Sequence, residues 1–141
     1  MEGRRPGVIV ADANLIAYAL LACPERHLAR RVRRRDPVWC APVLWRSEFR
    51  NTLTGWIRAR GLSVPAAVKL HRDAERLLEG GERLVEGAAV LRLAAESSAS
   101  AYDCEYVVLA RDLGVPLVTW DRRLLTAFPD VAVSAEDYAR P

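Results

Sequence analysis

Apolar residues recur along this chain in two alternating patterns. Short continuous apolar runs are typical of strands buried on both faces of a sheet, and they predict strands at 7–11, 38–41, 82–86, 115–120 and 131–133. Between them, apolar residues return every three or four positions, as they do on one face of a helix. These stretches predict helices at 15–22, 25–35, 43–60, 63–78, 88–98, 100–113 and 122–128, with a last helical turn capped by Ser134.

Strands that alternate with helices are characteristic of α/β proteins with a parallel central sheet covered by helices on both faces. We therefore expect a three-layer α/β/α fold. The chain has 141 residues and contains no internal repeat, linker or low-complexity tract. Because this length suits one ordinary core, a single domain spanning residues 1–141 is predicted.

Composition narrows the class of protein. Hydrophobic residues make up 51% of the chain and charged residues 28%, which is typical of a globular protein rather than a disordered one. No apolar run reaches the roughly 18 residues that a membrane-spanning helix needs. The three cysteines are widely spaced and form no C-x-x-C pair, so neither a disulfide framework nor a structural zinc site is expected. We predict a cytoplasmic protein with no membrane partner.

The net charge of +3 is carried almost entirely by arginine, since Lys69 is the only lysine. Arginine binds phosphate through two parallel hydrogen bonds, which lysine cannot do. A mildly basic chain of this kind is compatible with a nucleic-acid substrate but does not establish one.

Four acidic residues stand at or near the starts of predicted helices: Asp12, Glu48, Asp103 and Asp121. In a parallel α/β sheet, the strand ends and the helix starts gather along one edge, where ligands bind. Carboxylates brought together there repel one another unless a cation neutralises them. Hard divalent metals suit such a site, and they also suit phosphodiester hydrolysis. The pattern therefore indicates a metal-dependent nuclease.

Each acid also has a purely structural interpretation. Asp12 and Asp121 suit helix N-caps, Asp103 suits the first turn of a helix, and Glu48 suits an ion pair on a helix face. Three small polar residues are candidates to orient the carboxylates or a metal-bound water: Asn14, Asn51 and Thr119. A local backbone hydrogen bond is an equally good interpretation of each.

Four segments resemble the PIN-domain nucleases, and more narrowly the VapC-type toxins of toxin–antitoxin pairs. They are VIVADANL at 8–15, SEFRNTL at 47–53, SAYDCEYVVLA at 100–110 and VPLVTWDRRL at 115–124. The resemblance implies a PIN-like three-layer domain that binds Mg²⁺ or Mn²⁺ through the four acids and cleaves RNA as an endoribonuclease. It also implies a homodimer and a cognate, VapB-like antitoxin. Asn14 stands where the family often has Ser or Thr.

Three arginines lie near the acids in sequence and are candidates for RNA contact, although solvated charges need no function: Arg50, Arg122 and Arg123. Glu105 is expected to point away from the site, because it lies two positions from Asp103 on the same helix. His27 and His71 are placed on polar helix stretches. Neither has the sequence spacing of a metal ligand or a catalytic triad.

Other functions remain open at this stage. A housekeeping RNA-processing nuclease would share the chemistry without an antitoxin, and a non-catalytic PIN scaffold would bind RNA or protein without cleaving. A phosphoacceptor signalling domain would share the fold, but it needs a lysine after a late strand. The only lysine, Lys69, lies within a predicted helix.

Overall fold

The computed structural model describes residues 7–141. Five strands form one sheet: β1 (Val8–Ala11), β2 (Val38–Pro42), β3 (Glu82–Arg83), β4 (Leu117–Thr119) and β5 (Ala132–Ser134). Eight helices connect and follow them: α1 (Ala13–Leu20), α2 (Arg26–Arg35), α3 (Trp45–Arg60), α4 (Val64–Leu77), α5 (Gly87–Glu96), α6 (Ala101–Leu113), α7 (Arg122–Ala127) and α8 (Ala135–Tyr138).

The sheet is parallel throughout, with the strand order β3-β2-β1-β4-β5. Strand β1 lies at its centre, and Ile9, Val10 and Ala11 are fully buried. Helix α1 packs on β1 and β4, and α6 packs on β1, β2 and β4. Helix α2 packs against α1, and α5 packs against α6. The predicted three-layer α/β/α fold is confirmed.

Helix boundaries follow local sequence signals. Helices α3 and α6 end at Gly61 and Gly114, which adopt the left-handed backbone conformation with φ of 68° and 66°. Ser63 and Ser100 cap α4 and α6 by accepting hydrogen bonds from backbone N–H groups three residues later. Because these signals lie in the sequence itself, the helices could be predicted closely.

Two boundaries differ from the prediction. Strand β2 includes Pro42, and α3 begins only at Trp45, because Pro42 pairs with Arg83 and the next N–H, that of Val43, donates to the Arg83 carbonyl. Strand β3 has two residues rather than the five predicted, since only Ala41 and Pro42 of β2 are its partners. Gly81 fits beside β2 because it has no Cβ, which would lie 2.0 Å from the Trp39 carbonyl oxygen.

None of the helices within residues 7–141 has the length and apolar character needed to cross a membrane.

Candidate active site

Asp12 lies at the carboxyl end of β1, where the chain turns into α1. Its carboxylate caps α1 by accepting a hydrogen bond from the Ala13 N–H at 2.8 Å. The other carboxylate oxygen accepts a hydrogen bond from the Thr119 hydroxyl at 2.6 Å. The residue is only 8% exposed. Asp12 is therefore both a helix cap and a buried carboxylate at the sheet edge.

Burial raises the pKa of Asp12 from 3.8 to about 6. The hydrogen bonds from Thr119 and Ala13 act in the opposite direction, while the negative charges of Asp103 and Asp121 raise the pKa further. None of these influences comes from a cationic side chain. The environment of Asp12 thus favours either a proton or another cation at its carboxylate.

Thr119 and Asn14 connect the ends of β1 and β4. The Thr119 oxygen accepts a hydrogen bond from the Asp121 N–H at 2.9 Å while its hydroxyl donates to Asp12. The Asn14 amide donates to Asp12 at 3.3 Å and weakly to Thr119 at 3.5 Å, and its oxygen accepts from the Trp120 N–H at 3.3 Å. Both side chains bond to the carboxylate of Asp12. Thr119, which its sequence position had associated with Asp121, bonds to that residue only through the backbone N–H, the local kind of bond that was the alternative interpretation.

Asp121 follows β4 and caps α7. One carboxylate oxygen accepts from the Arg123 N–H at 2.9 Å, and the other lies 3.4 Å from the Arg123 guanidinium. That guanidinium is 86% exposed, so the ion pair is solvated and weak. Asp121 is therefore held by its helix cap, with its negative charge within electrostatic range of Asp12 and Asp103.

Asp103 occupies the first turn of α6, and its N–H donates to the Ser100 side chain at 3.1 Å. Its pKa is raised, first by burial and then by the negative charge of Asp121. Arg123 and Ser100 lower it in part. Asp103 and Asp121 thus repel each other across the gap between α6 and α7.

Glu48 lies in the first turn of α3 and accepts a hydrogen bond from the Tyr106 hydroxyl at 2.7 Å. Burial raises the pKa of Glu48, the Tyr106 bond lowers it, and the charges of Asp12, Asp103 and Glu105 raise it. Tyr106 was not among the residues predicted from sequence, because its position reads as part of the apolar face of α6. Glu105, which was expected to point away from the site, has the weakest of these influences on the pKa of Glu48.

Four other residues that the sequence singled out lie in different surroundings. Asn51 is exposed and makes no side-chain hydrogen bond to any residue in 7–141, so its predicted role beside Glu48 is not seen. Arg50 donates to His71 at 3.2 Å, on the side of α3 that faces α4. His71 lies on a polar stretch of the sequence, but its ring packs on the core by stacking against Trp45 and Phe49. Arg122 is exposed.

We refer to Asp12, Glu48, Asp103 and Asp121 as the acidic edge. An open cleft of about 590 Å³ lies beside it. Glu48, Asp103 and Arg123 contribute charged groups to its wall, and the 66% exposed ring of Tyr102 stands at its side. An extended ligand can therefore reach Glu48 and Asp103 from solvent.

The acidic edge was also tested for its fit to a metal ion. All its donors are carboxylate oxygens, which hard divalent cations prefer, and their mutual repulsion would be relieved by such a cation. Within residues 7–141, however, no three His, Cys, Asp or Glu side chains are already close enough to hold one ion. Glu48 is bonded to Tyr106 and Asp121 to the start of α7, so a cation would have to draw the carboxylates closer. The donor chemistry of the acidic edge fits a hard divalent cation.

Comparisons with known proteins give the fold a solved relative. The crystal structure of PAE2754 from Pyrobaculum aerophilum is similar, with a TM-score of 0.70 and 26% sequence identity over 99% of this chain and 91% of that one. No family model matches the chain, and no curated protein matches it significantly. The similarity therefore covers the whole α/β/α architecture and says nothing about activity.

Proposed function

We propose that the protein is a metal-dependent endoribonuclease that hydrolyses RNA phosphodiester bonds at the acidic edge. The observation that carries this proposal is the convergence of four carboxylates beside an open cleft. One of them, Asp12, is buried with a pKa of about 6, and the charges of neighbouring acids help to raise the pKa of Asp12, Glu48 and Asp103. The edge lies at the carboxyl ends of parallel strands, where α/β proteins bind ligands.

The four acids would hold Mg²⁺ or Mn²⁺, which supplies charge neutralisation, polarisation of the phosphate and a more acidic water when bound. The carboxylate of Asp12 would be a pre-oriented metal ligand, because hydrogen bonds from Thr119 and Asn14 already hold it in place. Tyr106 would limit the motion of Glu48 in the same way. Without a cation, the carboxylates would repel the phosphates of RNA, so binding at the edge and cleavage should both depend on the metal.

The resemblance to VapC-type toxins supplies the finer part of the proposal. The protein would act as a homodimeric toxin held inactive by a VapB-like antitoxin. A basic side chain of that partner would suit the acidic edge, since Asp12 and Glu48 have no cationic partner among residues 7–141. Expression of the chain alone should arrest growth, whereas expression of Asp12→Asn should not. Cleavage of RNA without growth arrest would indicate a housekeeping nuclease instead.

The central test is cleavage of single-stranded and structured RNA by the purified protein with Mg²⁺, Mn²⁺ or EDTA. Cleavage is expected with either metal and none in EDTA. Asp12→Asn, Asp103→Asn and Asp121→Asn should each lose at least about a hundredfold in rate, because loss of mere outer-shell support already costs metal sites 10–100-fold.

Asp130→Asn is the matched control for these variants. Asp130 is an exposed acid paired with Arg111 at 3.2 Å, where the chain enters β5, at the opposite end of the strands from the acidic edge. Its replacement should leave cleavage unchanged. RNA binding without cleavage under any metal condition would favour a non-catalytic scaffold, and cleavage by Asp12→Asn in EDTA would exclude the metal-dependent mechanism.

A further inference from the structure

A second concave site lies away from the acidic edge, between α1, α2 and α4. Its volume is about 500 Å³, and four arginines contribute to its wall together with a single aspartate, Asp73. We call it the basic cavity and define it by its arginines: Arg30, Arg33, Arg34 and Arg76. The run of arginines at the end of α2 is visible in the sequence, but the sequence does not show that α1 and α4 form a cavity with it.

Little of the positive charge in the basic cavity is neutralised. Asp73 is shared between Arg76 and Lys69, each at 3.1 Å. Arg30 donates to the Ala19 carbonyl, and Arg33 and Arg34 are exposed with no ion pair to any residue of the described 7–141 range. The cavity holds an excess of positive charge as large as the net +3 of the entire chain.

An RNA substrate needs such a site because the acidic edge repels it. Of the three arginines near the acids in sequence, Arg123 is engaged with Asp121 and Arg50 with His71. The third, Arg122, is exposed, but one arginine offsets little of the charge of four carboxylates, so most of the attraction for a polyanion must come from elsewhere on the surface. The guanidinium forks of Arg33 and Arg34 match phosphate oxygens, and neither is held in an ion pair by a residue of the part of the chain that the structure describes.

Helix α1 connects the two sites. Asp12 caps its start, and its last residue, Leu20, lies in the wall of the basic cavity. Eight helical residues span about 12 Å along the axis of this largely buried helix, and an RNA chain that follows the longer path over the surface would have to contact both sites with several nucleotides between them.

We propose that the basic cavity anchors the phosphate backbone of RNA while the acidic edge acts on a neighbouring phosphodiester. The proposal rests on the proposed function for the class of ligand, but the two sites are separate and can be tested separately. Because the contacts are to phosphates, the cavity should bind RNA with little regard to base sequence.

The test is the binding of a labelled single-stranded RNA in EDTA, over a range of salt concentrations, where the metal-free acidic edge repels the ligand. The double variant Arg33→Gln/Arg34→Gln should bind roughly five- to tenfold more weakly, if each contact is worth as much as a good exposed ion pair. Its plot of log affinity against log salt should be less steep by about 1.4, since each phosphate contact on a single strand contributes about 0.7.

Arg58→Gln/Arg92→Gln is the matched control, because it removes the same charge from exposed positions on α3 and α5. It should bind RNA nearly as the wild type does. Equal losses in the two double variants would mean that only net charge matters, and this would overturn the proposal.

Asp73→Asn gives a change of opposite sign. It frees Arg76 and Lys69 from their shared partner and should tighten RNA binding about twofold or more, as an exposed ion pair of this kind is worth a few tenths of a kcal/mol. Unchanged or weaker binding would contradict a site built on these arginines. Polyglutamate of similar length is the second ligand. If it binds as tightly as RNA with the same dependence on Arg33 and Arg34, the cavity recognises acidic protein and the RNA proposal is wrong.

The outcome for the nuclease is distinguishable from the outcome for the cavity. RNA binding that depends on Arg33 and Arg34, with no cleavage by the wild type under any metal condition, supports the basic cavity and refutes the proposed activity. If the wild type cleaves RNA in the presence of metal and Arg33→Gln/Arg34→Gln binds RNA as tightly as the wild type does, the activity is supported and the cavity is refuted as an anchor.

Discussion

Arg46 and Glu48 lie two residues apart on α3, yet each belongs to a different group of charged side chains. The Arg46 guanidinium donates to Glu82 through two nitrogens and to Glu75 through a third, all at 2.7 Å. We call these three residues the Arg46 cluster. Glu48 belongs to the acidic edge, and within residues 7–141 the only hydrogen-bond donor to its carboxylate is the hydroxyl of Tyr106.

The two groups differ in how their negative charges are balanced. Hydrogen bonds from Arg46 lower the pKa of both Glu75 and Glu82. At the acidic edge, burial and the charges of other acids raise the pKa of Asp12, Glu48 and Asp103. The chain therefore completes the Arg46 cluster with its own cation. At the acidic edge it supplies, among residues 7–141, only Arg123, an exposed and weak partner of Asp121. This shortage of positive charge is what the proposed ligand site would need.

The largest expected effect that separates the two groups is the dependence of stability on pH without divalent metal. The pKa of Asp12 is raised from 3.8 to about 6, so the folded state favours the protonated acid. The resulting penalty is absent below pH 3.8, grows as pH rises, and is complete above about pH 6. At pH 7 it amounts to about 3 kcal/mol for a shift of this size. Asp12→Asn should then be more stable than the wild type in EDTA at pH 7, with the difference vanishing near pH 4.

Glu82→Gln supplies the contrast. Because its pKa is lowered in the folded state, Glu82 stabilises the fold at neutral pH, and this contribution is lost as pH falls through the folded pKa. Glu82→Gln should therefore be less stable than the wild type at pH 7 and approach it in acid. Urea unfolding curves at a series of pH values measure both differences. The same sign for the two variants would show that the acidic edge is an ordinary paired cluster.

A slightly smaller effect is expected from Mn²⁺. At a hundredfold excess over its dissociation constant, a ligand that binds only the folded state stabilises it by about 2.7 kcal/mol. Thermal melts at fixed ionic strength should show this shift in the wild type and a clearly smaller one in Asp103→Asn. Without metal, Asp103→Asn should be neutral or stabilising, since it relieves the repulsion from Asp121. The control variants Asp130→Asn and Glu82→Gln should show the same Mn²⁺-induced rise in melting temperature as the wild type. If Mn²⁺ does not stabilise the wild type, the four acids have only structural roles.

Local signals explain how much of this molecule could be predicted from its sequence. Asp12 and Asp121 are recognisable because a buried strand, a capping acid and a helix follow one another within a few residues. The parallel sheet then brings the two acids to one edge through the general geometry of α/β folds. Asn14 lies two residues from Asp12, so its contact with that carboxylate could be predicted as well, whereas the bond from Thr119 to Asp12 joins positions 107 residues apart.

Contacts between distant segments could not be predicted in the same way. Tyr106 and Glu48 are 58 positions apart, and a tyrosine within an apolar helix face has no sequence signal for a carboxylate partner. Asn51 was predicted from its spacing to Glu48, but three residues along a helix also turn a side chain by about 60° around the axis, here into solvent. The basic cavity depends on the packing of three helices, which the arginine run of α2 alone does not define.

The smallest expected effect concerns the hydrogen bond that holds Glu48. Tyr106→Phe removes the hydroxyl that donates to Glu48 at 2.7 Å, and it should cost about 1 kcal/mol, which is typical for one hydrogen bond at a partly buried site. Because this bond lowers the pKa of Glu48, its loss should raise that pKa further, so the cost should fade as Glu48 becomes protonated in acid. Tyr102→Phe is the matched control, since the Tyr102 ring is 66% exposed and its hydroxyl makes no hydrogen bond within residues 7–141. Thermal melts of both variants at pH 7 and pH 4 measure the difference. If Tyr106→Phe melts with the wild type at both pH values, Glu48 is not positioned by Tyr106, and the acidic edge holds this carboxylate by its helix alone.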